Sequence, residues 1–302
     1  MKRGFLFAGQ GSQFVGMGKD FYENFDFAKE MFNKADDIVP DLKKVCFEGP
    51  DEVLKETRYT QPGIFVVSAI IDKILKDEKG IKPDAVAGFS LGEYSALYSA
   101  GCFDFETGLR LVSIRGEAMS KAGEKNSGAM AAIIGLSDEV VEEVCKDITA
   151  KGETVVPVNY NCDGQLVISG TEKGVKESVE ILKEKGAKRA VVLKVSGAFH
   201  SPLMEPAVDI LKEAIEKSDI KVPSIPLYMN ATSEKVLDVE KIKELMLKQL
   251  ISPVLWKQSV RNMIKDGIEE FIELGPGRVL SGFMRNIDRN VKITNIQKFS
   301  DL

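Results

Sequence analysis

The chain has one histidine and one tryptophan in 302 residues, and its four cysteines, Cys46, Cys102, Cys145 and Cys162, are scattered. A zinc site drawn from so few thiols and one imidazole would need nearly all of them at one point, which the spacing does not suggest. Four reduced, buried thiols in a cytoplasmic protein are the expectation. Long hydrophobic runs are missing too. The longest lies at about 63–71 and is closed by Asp72, short of the roughly 20 residues a membrane span needs. The apolar stretch after Met1-Lys2-Arg3 ends at Gly9, below signal-peptide length and without a small-residue cleavage pattern. Positive charge is not in excess: 41 Lys and Arg against 46 Asp and Glu give a formal net charge of −5. The chain as a whole is therefore not a nucleic-acid binder, and an acidic protein partner would need a local basic patch. No internal repeat or low-complexity segment stands out.

What is present is an ordinary packed composition, 44% hydrophobic and 29% charged, in a chain long enough for a large domain with an insert. Apolar strands alternate with amphipathic helices, the α/β signature. Strands are expected at 2–8, 85–88, 225–229 and 268–274. Helices are expected at 62–76, 92–100, 105–122, 206–217, 239–250 and 256–265, with a closing helix and strand. Residues 123–128, Gly-Glu-Lys-Asn-Ser-Gly, look like a linker. Beyond it the order becomes β-α-β-β-α-β, with strands at 129–134, 155–160, 166–170 and 190–193 and helices at 137–150 and 171–185. This is the ferredoxin-like pattern. Its second strand holds Pro157 and should lie at a sheet edge, where proline is tolerated. The chain thus divides into a large α/β subdomain, 1–126 and 195–302, and a small inserted one, 127–194.

The strongest chemical signal is Gly88-Phe89-Ser90-Leu91-Gly92. This is G-x-S-x-G between a buried strand and a helix, the setting of a nucleophile elbow. A serine so placed stands at a helix N-terminus, where backbone N–H groups favour developing negative charge. The alternative is an ordinary strand-to-helix turn that happens to contain serine. Serine needs a base, and the chain offers only His200, within Gly197-Ala-Phe-His-Ser-Pro202. It stands in a strand-to-helix connection, although a lone histidine is often just a surface or core residue. Gly9-Gln10-Gly11-Ser12-Gln13 resembles a phosphate loop only superficially. Phe14 stands where a dinucleotide fold needs its third glycine, and Met17 where a P-loop needs lysine. Such a loop can instead lend a backbone N–H to an oxyanion. Arg115, on the helix at 105–122, reads on residues alone as a surface arginine no different from Arg110.

Together these residues resemble the malonyl-CoA:acyl carrier protein transacylase family of bacterial type II fatty acid synthesis. The resemblance spans essentially the whole chain. It is carried by Phe7-Ala-Gly-Gln-Gly-Ser-Gln13, Thr60-Gln-Pro62, Gly88-Phe-Ser-Leu-Gly-Glu-Tyr94, Arg115-Gly116, Ala198-Phe-His-Ser-Pro202 and Glu273-Leu-Gly-Pro-Gly277. It implies an α/β-hydrolase-like core with the ferredoxin-like insert. It also implies roles: Ser90 as the acylated residue, His200 as its base, and the N–H groups of Gln10 and Leu91 as the oxyanion hole. Arg115 would grip the malonyl carboxylate, the main-chain carbonyl of Gln249 would orient His200, and Asn161 would line the cleft. Phe199 matches malonyl-using relatives, where methylmalonyl-using synthase domains usually carry serine. One departure is Phe89, where the family usually has histidine. Malonyl-CoA and acyl carrier protein are the implied partners, and a monomer is expected. No cofactor is implied, because coenzyme A and phosphopantetheine arrive as parts of the substrates.

Two other readings remain open at this level. A thioesterase or esterase of the α/β-hydrolase class would need an acid between Ser90 and His200 in chain order, and usually a histidine-led glycine loop upstream of the serine. No histidine precedes Ser90. A non-catalytic acyl-carrier-binding module would keep the fold, and intact Ser90, His200 and Arg115 argue against it.

Overall fold

A computed structural model describes residues 1–195 and 197–302. Its strands, in chain order, are β1 (Arg3–Phe7), β2 (Ala85–Gly88), β3 (Ala129–Ile134), β4 (Val155–Cys162), β5 (Gln165–Gly170), β6 (Arg189–Val192), β7 (Leu227–Tyr228), β8 (Lys235–Val236), β9 (Glu270–Leu274) and β10 (Lys292–Ile296). They form a six-stranded sheet in the order β10-β9-β1-β2-β7-β8 and a four-stranded sheet in the order β4-β5-β3-β6. In the first, all pairings are parallel except that of β8 with β7. The second is antiparallel throughout. The mixed α/β architecture and the small antiparallel sheet are those expected from the sequence.

The central strand β1 is apolar on both faces because both faces are covered. Phe5 and Phe7 enter a core shared with the helices Thr57–Lys73, Gly92–Ser99 and Phe105–Lys125, while Leu6 enters a second core with Trp256, Val260 and Leu280. In the small sheet, Ala131 and Ile133 of β3 meet two helical stripes, Val141, Val144 and Ile148 on one side of sequence and Val175, Val179 and Leu182 on the other. Pro157 lies in β4, an edge strand, as the pattern required.

Several element bounds differ from expectation, three of them in ways that bear on the site. The helix predicted to open at Pro62 begins at Thr57, and Thr60 and Gln61 are buried within it. Proline prefers the first turn, but Pro62 here lies inside the helix, past a buried polar turn. The predicted linker at 123–128 is half helix: the Phe105–Lys125 helix continues through a buried Gly123. The strand predicted at 225–229 shrinks to Leu227–Tyr228, since Pro226 has no N–H to give a ladder. Among the described residues, no helix is long and apolar enough to cross a membrane.

Register places the site. Phe7 of β1 is the partner of Gly88 in β2, so the loop after β1 and the turn after β2 emerge side by side at the carboxyl ends of parallel strands. That is where open α/β sheets put their ligands.

Candidate active site

The turn after β2 is very tight. A Cβ on Gly88 would sit 1.9 Å from the backbone of Gly92, and one on Gly92 would sit 2.1 Å from the Phe7 carbonyl oxygen. Only glycine fits at either place, which gives the G-x-S-x-G spacing its physical content. Ser90 itself has φ 52, the left-handed region that non-glycine residues rarely occupy. The turn lifts its side chain toward the segment holding His200.

The Ser90 hydroxyl and His200 Nε2 are 2.7 Å apart. His200 Nδ1 lies 2.7 Å from the Gln249 carbonyl oxygen. A carbonyl can only accept, so Nδ1 carries the proton and Nε2 is left to accept from the serine hydroxyl. Both residues are buried. Burial, reinforced by the nearby Arg115 cation, pushes the His200 pKa down to about 4, against the opposing effect of the Gln249 bond. The imidazole is therefore a neutral acceptor at neutral pH.

Arg115 overturns the surface reading made from its helix alone: it is fully buried, while Arg110 is exposed. Its Nη1 donates to Gln61 Oε1 at 2.8 Å, and its Nη2 donates to Gln249 Oε1 at 2.9 Å and to Ser90 Oγ at 3.2 Å. The guanidinium also lies over the Tyr94 ring, 5.6 Å from its centroid. Every hydrogen-bond acceptor is neutral. No ion pair joins Arg115 to a carboxylate among the described residues, and Nε has no partner.

A cavity of about 100 Å³ adjoins Ser90 and His200, and Gln10, Gln61, Phe89, Met119 and Phe199 help to wall it. Asn159 lines it from β4, whereas Asn161, the residue expected there, is buried outside it. The shift has a local cause: β4 is irregular between Pro157 and Asn159 and again between Tyr160 and Cys162, so simple alternation fails. The amides of Gln10 and Leu91 have no hydrogen-bond partner among the described residues. Phe89 packs edge-on against Trp256 at 5.6 Å, and against Phe283. A phenyl ring thus fills the position where the resembled family usually carries histidine.

Four contributors carry no assignment from sequence. Gln61 lies inside a quoted motif, and Asn159 differs from Asn161 only by strand irregularity. Asn230 and Glu93 meet behind the nucleophile, where the Asn230 amide donates to Glu93 Oε2 at 2.5 Å. Burial pushes the Glu93 carboxyl up to about 8. The one available signal for Asn230 is its place just past a strand.

Comparison with known proteins agrees with this geometry. The acyl transferase domain family matches residues 4–296. The malonyl CoA-acyl carrier protein transacylase of Bacillus subtilis is 45% identical over 293 residues, covering 96% of this chain and 92% of that one. An acyl carrier protein S-malonyltransferase from Vibrio cholerae, solved by crystallography, is 39% identical with a TM-score of 0.95, covering 100% of this chain and 98% of that one. A malonyl-transacylase solved in complex with a type II polyketide synthase acyl carrier protein is 36% identical with a TM-score of 0.96, covering 100% and 97%. Over its whole length, then, the chain belongs to the acyl transferase domain family, among its malonyl-CoA:acyl carrier protein transacylases.

Proposed function

We propose that this chain transfers a malonyl group from malonyl-CoA to the phosphopantetheine thiol of acyl carrier protein, through a malonyl ester on Ser90. The observation that carries the reading is Arg115: a buried cation, bonded only to neutral groups, 3.2 Å from the Ser90 hydroxyl. Malonyl differs from acetyl by one carboxylate, and a buried guanidinium is the group that would recognise it.

In the first half-reaction the Ser90 oxygen attacks the thioester carbonyl as its proton passes to His200 Nε2. The tetrahedral oxyanion is held by the amides of Gln10 and Leu91. The C–S bond breaks, and His200 returns the proton to the departing thiolate, releasing coenzyme A. In the second half the carrier's thiol gives its proton to His200 and attacks the ester, and Ser90 leaves with that proton. The Gln249 carbonyl keeps the imidazole in the required tautomer throughout.

A groove of about 680 Å³ runs to the chamber and shares Gln10 and Val195 with it. Its size suits a pantetheine arm, and the small chamber it leads to favours a thiol on a long tether. The thioesterase reading is disfavoured by His200 Nδ1, which meets a main-chain carbonyl where such a triad would place a carboxylate.

Intact-mass measurement after mixing with malonyl-CoA tests the reading. A persistent malonyl adduct, mapped to the Ser90 peptide and passed on to carrier protein, is expected. Rapid release of free malonate would mean a hydrolase, and no adduct would mean a binding module.

A further inference from the structure

We propose that Asn230 is a positioning residue for the transfer reaction: its side-chain amide clamps the Ser90 turn in the conformation that presents the hydroxyl to His200. This rests on the function proposed above.

Ser90 at φ 52 holds a left-handed conformation that a residue with a Cβ disfavours. Gly88 and Gly92 permit the tight turn, but permission does not hold it. The Asn230 side chain does. Its Oδ1 accepts from the Ser90 amide at 2.8 Å, and its Nδ2 donates to the Gly88 carbonyl oxygen at 2.7 Å. One planar group thereby brackets the chain on both sides of Phe89. On the other side, Gln249 Nε2 donates to the Ser90 carbonyl at 2.9 Å and also approaches Asn230 Oδ1 at 3.3 Å.

The clamp is itself anchored. Tyr228 of β7 is the register partner of Ala87 in β2, so two residues further along each strand Asn230 comes beside the turn. Its backbone N–H donates to Glu93 Oε2, its backbone carbonyl accepts from the Leu255 N–H at 3.0 Å, and the residue is fully buried. The chemistry selects asparagine. The task needs one acceptor and one donor at fixed separation on a short side chain. Ionised aspartate would set two acceptors against the Gly88 carbonyl, and an apolar isostere would leave the Ser90 amide and the Gly88 carbonyl unpaired in the interior.

A purely structural Asn230 would affect melting temperature and leave the rate per folded molecule unchanged. The experiment is single-turnover malonylation of Ser90 by malonyl-CoA, with wild type, Asn230→Ala and Asn230→Asp, each checked by thermal melt. Asn230→Ala should slow acylation by about 10- to 100-fold. Its affinity for malonyl-CoA and its preference over acetyl-CoA should hold, because Arg115 is untouched. Asn230→Asp is the sharper probe. A protonated carboxyl can accept from Ser90 and donate to Gly88 as the amide does, so this variant should be slow near pH 8 and recover as pH falls toward about 5.5. The charged or titratable groups gathered around the turn are Glu93, Arg115 and His200. His200 is neutral across this range and the Glu93 titration is common to both proteins, so the quantity read is the ratio of the Asn230→Asp rate to the wild-type rate, which should rise as pH falls. An Asn230→Ala rate within about twofold of wild type, or an Asn230→Asp profile that tracks wild type, overturns the proposal. If Asn230→Ala does not fold, the Asn230→Asp profile decides alone. Failure of wild type to form the Ser90 ester would instead overturn the function on which this rests, and the wild-type arm shows that directly.

Discussion

Arg115 Nη2 donates to the hydroxyl of Ser90 across 3.2 Å, so the cation of the site is bonded to its nucleophile. The other partners of that guanidinium, Gln61 and Gln249, are neutral amides. Glu93 is the nearby acid, and with its carboxyl pushed up to about 8 by burial it is largely protonated at neutral pH. The positive charge therefore has no anion of its own inside the protein. An incoming carboxylate would supply one and would take over the donor now spent on Ser90.

Arg115 should thus control selectivity. Charge-assisted hydrogen bonds are worth about 1.5–3 kcal/mol each, so losing a bidentate pair should cost at least about 3 kcal/mol, roughly a hundredfold in malonyl transfer. Acetyl transfer makes no such contact. Measured as kcat/KM for malonyl-CoA and acetyl-CoA, Arg115→Ala should collapse or invert the preference, and Arg115→Lys should restore only part of it. Equal loss of both activities would make Arg115 a structural residue.

The pH profile should be displaced. His200 acts as base when neutral, and its pKa is lowered from 6.5 to about 4. The acid limb of kcat/KM for malonyl-CoA should accordingly fall near pH 4, with no step around 6.5. His200→Ala should lose both the rate and that limb. Stability carries the same sign. Between pH 4 and 6.5 the unfolded chain takes up a proton that the folded chain refuses, so this contribution is complete above 6.5 and lost as pH falls through 4. A measured limb at 6.5 would mean that burial of His200 does not suppress its protonation.

Glu93 should act in the opposite direction. Its carboxyl is raised from 4.5 to about 8, chiefly by burial. Stability from this group is fully present below 4.5 and lost as pH rises through 8, since the folded state keeps a proton that the unfolded state releases. Glu93→Gln removes the titration while keeping an acceptor for the Asn230 amide. The melting temperature of the variant relative to wild type should rise by a few degrees between pH 5 and 8. A constant difference across that range would show that Glu93 does not hold the proton.

Carrier recognition should depend on salt. The groove is lined by Lys55, Arg58, Lys121 and Lys194 together with Glu52, Glu56, Glu117 and Glu124, and of the cations Lys121 and Lys194 are exposed with no ion-pair partner among the described residues. On a chain of net charge −5, local cations of this kind are what an acidic carrier protein would need. Apparent affinity for carrier protein should fall with salt more steeply than affinity for free pantetheine. Equal responses would count against electrostatic docking.

Strand and helix periodicity made most of the fold legible. The β3 strand and the Trp256–Lys265 helix fall on the expected bounds, because clean alternation and a helical stripe leave little ambiguity. Between the loop at 9–13 and Thr57 the sequence pattern yields no expected helix or strand. Yet Ala28, Met31, Phe32 and Ala35 make a helical stripe in Asp26–Ile38. That signal was present in the sequence, whereas the short helices around it carry too few residues to show a period. At the site, Ser90 and His200 stand out by residue type and setting. Arg115 gained meaning only from the resemblance, since a single helix face does not reveal what lies opposite. Asn230 was invisible for a stronger reason: its partners, Gly88 and Ser90, are backbone groups 142 and 140 residues away in sequence, and only strand register brings them together.

The wall of the chamber formed by β4 is tied to the rest of the molecule by backbone as well as by the packing of Val158 and Cys162. Val254 donates to Val158 at 2.7 Å and accepts from Tyr160 at 3.0 Å, flanking Asn159. These two bonds join the edge of the small sheet to the segment leading into the Trp256–Lys265 helix. Side-chain substitution cannot remove them. The strand is thus braced on both sides of Asn159, so the position of this wall of the chamber should be insensitive to side-chain changes in the neighbouring residues. Amide hydrogen exchange at Tyr160 should be among the slowest in the small sheet, and that at Val254 slower than its flanking loop residues, with or without substrate.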